Sequence, residues 1–299
     1  MRQPRDGPLI ALVLVFLGSM FSLPRVAHAS SLPDVPTCTG LRWIVNAGSL
    51  HRSLSAFPLA QQQRSFDSPC TFLVTGPKVP ADYRSWSVVR TRSTPALAGL
   101  DRTVDSSGVA AVLYDPETWP MTPYAEQTDP VAAVCRAAVI AHAHGKLLIA
   151  TPAVDLLRRV APNAGHHARR YRAFEQTGWI GAMARCADVI EIQAQGAEAN
   201  LNQFERFVST EARQARAANP DVLVMAGIST NPNGQRVSTQ QLLNAVRAVR
   251  SVVNGFWLNI PAGGKYCPRC GVPQPRVAVQ LLQTLEAAAG AVPASDKRR

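Results

Sequence analysis

Asp115-Pro116-Glu117 sets two carboxyl groups one residue apart, with the aromatic residues Tyr114, Trp119 and Tyr124 close by. Paired carboxyls among aromatic rings suit glycosidic-bond cleavage, where one acid protonates the leaving oxygen and the other activates water or attacks directly. The plainer alternative is a loop in which Asp115 caps a turn and Glu117 faces solvent. Along residues 188–195, Glu191, Gln193 and Gln195 alternate with Ile190, Ile192 and Ala194. In an extended chain such alternation puts the carboxylate and two amides on one face and the apolar residues on the other. A buried polar face needs either internal partners or a ligand. Trp257 and Asn259 likewise share a face, where the indole can stack on a sugar ring or simply fill core.

Other chemistries find no support. The chain lacks a G-x-G-x-x-G turn, a Walker-type G-x-x-x-x-G-K-[ST], a G-x-S-x-G elbow and an H-E-x-x-H pair. His166-His167 carries no metal signature around it, and His142 and His144 fall near an expected helix end, where they favour the dipole. The formal charge of +11 favours acidic partners, but the arginines and the four lysines (Lys78, Lys146, Lys265, Lys297) are scattered and are not interleaved with aromatics. No nucleic-acid-binding motif accompanies them.

The elements that must position these residues follow from period and punctuation. Eight β-rich runs occur, at 42–48, 71–76, 86–91, 109–115, 146–151, 188–195, 222–228 and 255–261. Helical patterns separate the later ones, at 131–144, about 167–186, 198–218, 238–253 and 275–289. Thr128-Asp129-Pro130 starts the first of these helices and Gly145 stops it. Alternating strands and helices imply parallel strands with right-handed crossovers, and eight of them form a (β/α)8 TIM barrel, an α/β fold. An open doubly wound sheet is the alternative, disfavoured by the missing glycine-rich turn. Pro77, Pro80 and Pro95 oppose regular helices, so the first half of the barrel is expected to be irregular.

In such a barrel the chemistry gathers at the carboxyl ends of the strands. Asn46 ends the first run, Tyr114, Asp115 and Glu117 the fourth, Thr151 and Asp155 follow the fifth, and Ser229, Thr230 and Asn231 end the seventh. Asp115, Glu191 and Glu117 are the candidate catalytic residues. Asn46, Tyr114, Asp155, Gln193, Gln195, Asn231, Trp257 and Asn259 are the candidate substrate-binding residues, with Trp257 as stacking platform.

Acids ending strand four, a Trp on strand eight and a leader for export resemble the glycoside-hydrolase barrels, particularly the extracellular ones acting on polysaccharides. The resemblance is architectural. Retaining members of the large glycosidase clan carry a second carboxylate at the end of strand seven, where this chain has Ser229-Thr230-Asn231, and the chitinase-type D-x-x-D-x-D-x-E strand is absent. Catalysis then requires Asp115, the expected acid, paired with Glu117, Asp155 or Glu191. The alternatives are a non-catalytic barrel that binds glycan or cell wall, and an extracellular structural protein.

The first 29 residues read as a secretory signal: Arg2 and Arg5, an apolar stretch, then Ala27-His28-Ala29. A retained anchor is the competing reading. Domain boundaries are expected at 1–29 for the signal, 30–292 for one barrel and 293–299 for a disordered tail. Export makes disulfides the expected fate of the six cysteines, preferably Cys38–Cys70, Cys135–Cys186 and Cys267–Cys270. Cys267-Pro-Arg-Cys270 alternatively looks like one zinc knuckle, for which no second cysteine pair has matching spacing. With 46% hydrophobic and 17% charged residues the chain is an ordinary globular one. It is expected to act as a secreted monomer on carbohydrate, without metal, cofactor, nucleic acid or, once the signal is cleaved, membrane.

Overall fold

The computed structural model describes residues 35–163, 167–264 and 267–290; the signal, cleavage and tail expectations lie outside them. Eight parallel strands close into a barrel in sequence order: β1 (Arg42–Asn46), β2 (Thr71–Thr75), β3 (Val89–Thr94), β4 (Ala111–Tyr114), β5 (Leu147–Ala150), β6 (Val189–Ile192), β7 (Leu223–Ser229) and β8 (Gly255–Asn259). Ile44 opposite Trp257 joins β1 to β8, which excludes the open sheet. Strand alternation divides the apolar residues into two cores. Ile44, Phe72, Val74, Leu113, Ile149, Val189 and Met225 fill the barrel interior. Their neighbours Val45, Leu73, Val112, Leu148, Ile190, Val224 and Phe256 face outward and meet the helices.

The helices are α1 (Ala47–Arg52), α2 (Leu59–Phe66), α3 (Leu100–Val104), α4 (Tyr124–Thr128), α5 (Pro130–Ala143), α6 (Leu157–Val160), α7 (His167–Glu175), α8 (Trp179–Ala184), α9 (Leu201–Ala218), α10 (Thr239–Val249) and α11 (Pro275–Gly290). Asp129 and Pro130 open α5 as expected, with Asp129 Oδ1 accepting from the Ala132 amide at 3.2 Å. The first half is irregular, because only a 3-10 turn, Ala81–Tyr83, joins β2 to β3. There the buried Tyr83 ring meets Trp86 edge-on at 4.8 Å and its hydroxyl donates to Gln62 Oε1 at 3.0 Å, so two aromatic side chains cover the sheet where a helix is missing.

Most strand runs are trimmed by a residue or more at their ends, as at β1, which gives way to α1 at Ala47, and three differences go further. Trp86 belongs to that aromatic cover and β3 starts at Val89, running on through Thr91, Arg92 and Ser93, whose polarity hid the strand. The helix expected over 167–186 breaks in two at Gly178, whose φ of 65° ends the first segment. The sixth strand stops at Ile192, where the Ala194 amide turns back to the Ile192 carbonyl at 2.8 Å. All six cysteines pair as preferred, and bonding between Cys267 and Cys270 leaves no thiolates for a zinc knuckle. Among the described residues no helix is long and apolar enough to cross a membrane.

Candidate active site

The carboxyl groups assemble where β4, β5 and β6 run out. Asp115 follows β4 in the inward phase of Ala111 and Leu113. Its Oδ1 accepts from Thr151 Oγ1 at 2.8 Å and from Gln193 Nε2 at 3.1 Å, and Gln193 also donates to the Thr151 carbonyl at 2.9 Å. Three strand ends are therefore tied together through one carboxylate oxygen. Glu117, two residues on, lines an open cleft of about 400 Å³. Its loop is fixed: Asp155 Oδ1 accepts from the Thr118 amide at 3.0 Å, and Thr122 Oγ1 accepts from the Glu117 amide at 3.3 Å and from Trp119 Nε1 at 2.7 Å.

Glu191 lies below, inward on β6 and fully buried. Gln195 Nε2 stands 3.5 Å from its Oε1, and its Oε2 has no partner among the described residues. On the neighbouring strand β7, two residues beyond Met225, which pairs with Glu191, stands Gly227, where a Cβ would collide with Glu191 Oε1 and Gln195 Nε2. Only glycine leaves room for that carboxyl and amide inside the barrel.

Burial and mutual proximity raise all three acids. Loss of solvent pushes Asp115 up to about 6, against the pull of its Thr151 and Gln193 hydrogen bonds, with Asp155 adding to the rise. Glu117 lacks such donors, and burial beside Asp115 and Asp155 carries it up to about 9. Glu191 is held well above the usual carboxylate range by burial, then by Asp115 and Glu117. Near neutral pH the geometry thus supports an ionised Asp115 beside a protonated Glu117.

No family model and no curated protein sequence matches the chain. Among solved structures it is similar to a chitinase from Chromobacterium violaceum, at 12% identity over 82% of this chain and 99% of that one, with a TM-score of 0.49. It is also similar to a GH18 chitinase from Pseudoalteromonas aurantia (11% identity, 58% and 68% of the two chains, TM-score 0.37). A third is a sugar phosphate isomerase/epimerase from Parabacteroides distasonis (11%, 85% and 97%, TM-score 0.46). The likeness is one of barrel fold.

The remaining candidates separate by which way they face. Asp155, Gln193, Gln195 and Asn259 line the cleft with Glu117. Four others do not. Tyr114 falls in the outward phase of β4, fully buried against the helices, and its hydroxyl donates to Glu126 Oε2 at 2.6 Å, so it does not reach substrate. Asn46 caps α1 by accepting from the Ser49 amide at 3.1 Å. Asn231 is buried and donates through Nδ2 to the Cys270 carbonyl at 2.7 Å, pinning the disulfide loop that walls the cleft. Trp257 faces inward but packs on the interior core below the cleft, its Nε1 unpartnered among the described residues. The cleft's aromatic walls are Trp119 and Tyr171. Glu117 is half-buried in the cleft wall and not a solvent-facing loop residue.

Sequence reasoning passed over Tyr171, Arg158, Arg170 and Glu198. The first three come from the segment after β5, where helical periodicity hides which residues lean over the mouth. Glu198 precedes α9, is buried, and accepts from the Ser229 amide. His142 and His144 pair with Asp188 (2.9 Å) and Asp105 (3.2 Å), which gives both a structural role. Among the described residues no group of three or more acid, His or Cys side chains could hold a metal ion.

Proposed function

We propose that the protein is an exported glycoside hydrolase that cleaves a polysaccharide at the barrel mouth, with Glu117 as proton donor and Asp115 as the ionised partner. The observation that carries this reading is the divergent setting of two acids one residue apart. Asp115 turns inward onto two hydrogen-bond donors that favour its carboxylate, while Glu117 turns into the cleft without any. This reverses the roles that the sequence suggested.

Glu117 gives its proton to the glycosidic oxygen as the bond to the anomeric carbon breaks. The Asp115 carboxylate takes a proton from the attacking water or bonds to that carbon directly. Burial and the neighbouring acids favour the neutral form of Glu191, which limits the negative charge beneath Asp115. Gln195 and Asn259 are placed to bind hydroxyls, and Trp119 and Tyr171 offer faces for sugar rings. The amino-terminal signal pattern and the complete pairing of cysteines support export.

The test is release of reducing ends from a polysaccharide panel by the protein and by its Glu117→Gln and Asp115→Asn variants. Each variant is expected to lose about 10²-fold or more in rate. Unchanged activity in both removes the mechanism. Binding without cleavage by the unaltered protein points instead to a glycan-binding barrel.

A further inference from the structure

The segment between β5 and α8 has a charge pattern that the hydrolase reading does not use. Residues 156–174 hold five arginines (Arg158, Arg159, Arg169, Arg170, Arg172) and no acid. Two of the five, Arg158 on α6 and Arg170 on α7, line the same cleft as Glu117. Arg170 is half-buried beside the Tyr171 ring, and among the described residues it has no carboxylate partner. Arg158 reaches only one oxygen of Asp155, at 3.5 Å, and most of its side chain is exposed. Arg169 and Arg172 line a further groove on the outer side of α7, with Leu157 and Ala173.

An unpaired guanidinium on the wall of a cleft is a ready partner for a planar or tetrahedral anion, which it can engage through two N–H groups at once. Of the acids at the floor, Asp115 carries its charge turned onto Thr151 and Gln193, and burial beside Asp115 and Asp155 pushes Glu117, which faces the cleft, up to about 9, so its carboxyl is neutral near pH 7. In the hydrolase reading the floor acts on a glycosidic bond, while Arg158 and Arg170 offer positive charge on the wall of the same cleft.

We infer that the glycan taken by this cleft is acidic, a polymer of carboxylated or sulfated sugars whose anionic groups are met by Arg170 and Arg158. The inference rests on the hydrolase reading for the ligand being a glycan, and narrows it to a substrate class.

Affinity electrophoresis tests it, with polygalacturonate (carboxylate), dextran sulfate (sulfate), neutral dextran and duplex DNA as probes, each at two salt concentrations. One acidic polysaccharide is expected to retard the protein at least tenfold more strongly than neutral dextran, and which one does so tells carboxylate from sulfate. Arg170→Ala is expected to weaken that binding about tenfold and the Arg158→Ala, Arg170→Ala double variant further, since each removes a charge-assisted contact. Arg250→Ala removes the same charge from the exposed end of α10 and is expected to change binding less than twofold. Arg170→Lys keeps the charge without the planar fork and should recover part of the affinity. An equal loss in Arg250→Ala, or DNA held as tightly as polysaccharide, overturns the inference by making the attraction general. Cleavage of a neutral glycan that needs Glu117 but not Arg170 overturns it and leaves the hydrolase reading standing. Arg170-dependent retention without cleavage of any polymer sinks the hydrolase reading alone.

Discussion

In the proposed hydrolase mechanism, Thr151→Val removes the shorter of two Oγ1 contacts, the one to Asp115 that would set the acid limit of activity, together with a 3.3 Å contact to the Tyr114 carbonyl. Thr151 is fully buried, and valine keeps its shape while deleting the Oγ1–H that reaches Asp115 Oδ1 at 2.8 Å. That bond favours the carboxylate, so its loss raises the Asp115 pKa from about 6. A hydrogen bond to a charged group contributes roughly 1.5–3 kcal/mol and one pKa unit corresponds to about 1.4 kcal/mol, so the ceiling is about two units. Gln193 Nε2 still donates at 3.1 Å and can take up part of the charge, which brings the expected shift to about one unit. The acid limb of kcat/KM against pH should accordingly move up by that amount, while the alkaline limb, set by Glu117 near 9, stays in place. Carbon-13 NMR of Asp115 gives the same quantity without depending on turnover. An acid limb that stays put while the NMR titration moves would show that Asp115 does not control the reaction. If neither moves, the hydrogen bond is not tuning the carboxylate.

Two further outcomes concern stability. Glu211 on α9 is buried with both carboxylate oxygens unpartnered among the described residues, and burial beside Glu175 pushes its pKa up to about 8. A carboxyl raised on folding favours the folded state at low pH and loses that advantage as pH rises to the folded value. Glu211→Gln should therefore raise the melting temperature at pH 8.5, by removing a cost of a few kcal/mol, and change it little at pH 4; equal shifts at both pH values would refute the linkage. Replacing Cys135 and Cys186, 51 residues apart in sequence, with serine should destabilise the fold by about 2–5 kcal/mol, read by thermal unfolding. The same change at Cys267 and Cys270, only three residues apart, should cost much less, and the reverse order would count against the chain-entropy argument.

The barrel was legible because its signals are redundant. Runs of β-branched and aliphatic residues recur eight times, and caps such as Asp129-Pro130 and stops such as Gly145 separate them. Legibility failed where a residue served a neighbour and not its own element. Trp86 looks like a strand residue because it is large and apolar, yet its partner is Tyr83. Asn231 looks like a ligand-binding amide at a strand end, yet it holds the carbonyl of Cys270, 39 residues further along, a pairing that no local pattern announces. Tyr114 was misplaced for a simpler reason: it neighbours Asp115, and alternation sends adjacent side chains to opposite faces. Counting parity back from Leu113 would have placed it outward.

The same parity explains why the acids gather on one side of the mouth. Two residues along the inward face, Leu113 gives way to Asp115, Ile149 to Thr151 and Val189 to Glu191, in register across β4, β5 and β6. Three neighbouring strands thus change from apolar fill to polar positions within one two-residue step, and β7, which keeps Met225 beside Glu191, opens two residues later at Gly227. β1 and β2 keep Ile44 and Val74 on that face, with no carboxyl above either. At that step Asp115 is buried enough to rise to about 6 and is still reached by Thr151 and Gln193 from the adjoining strand ends. Adding a methyl group at Gly227 would intrude on Glu191 and Gln195 from the adjoining strand, which makes the missing side chain as much a part of the site as the acids themselves.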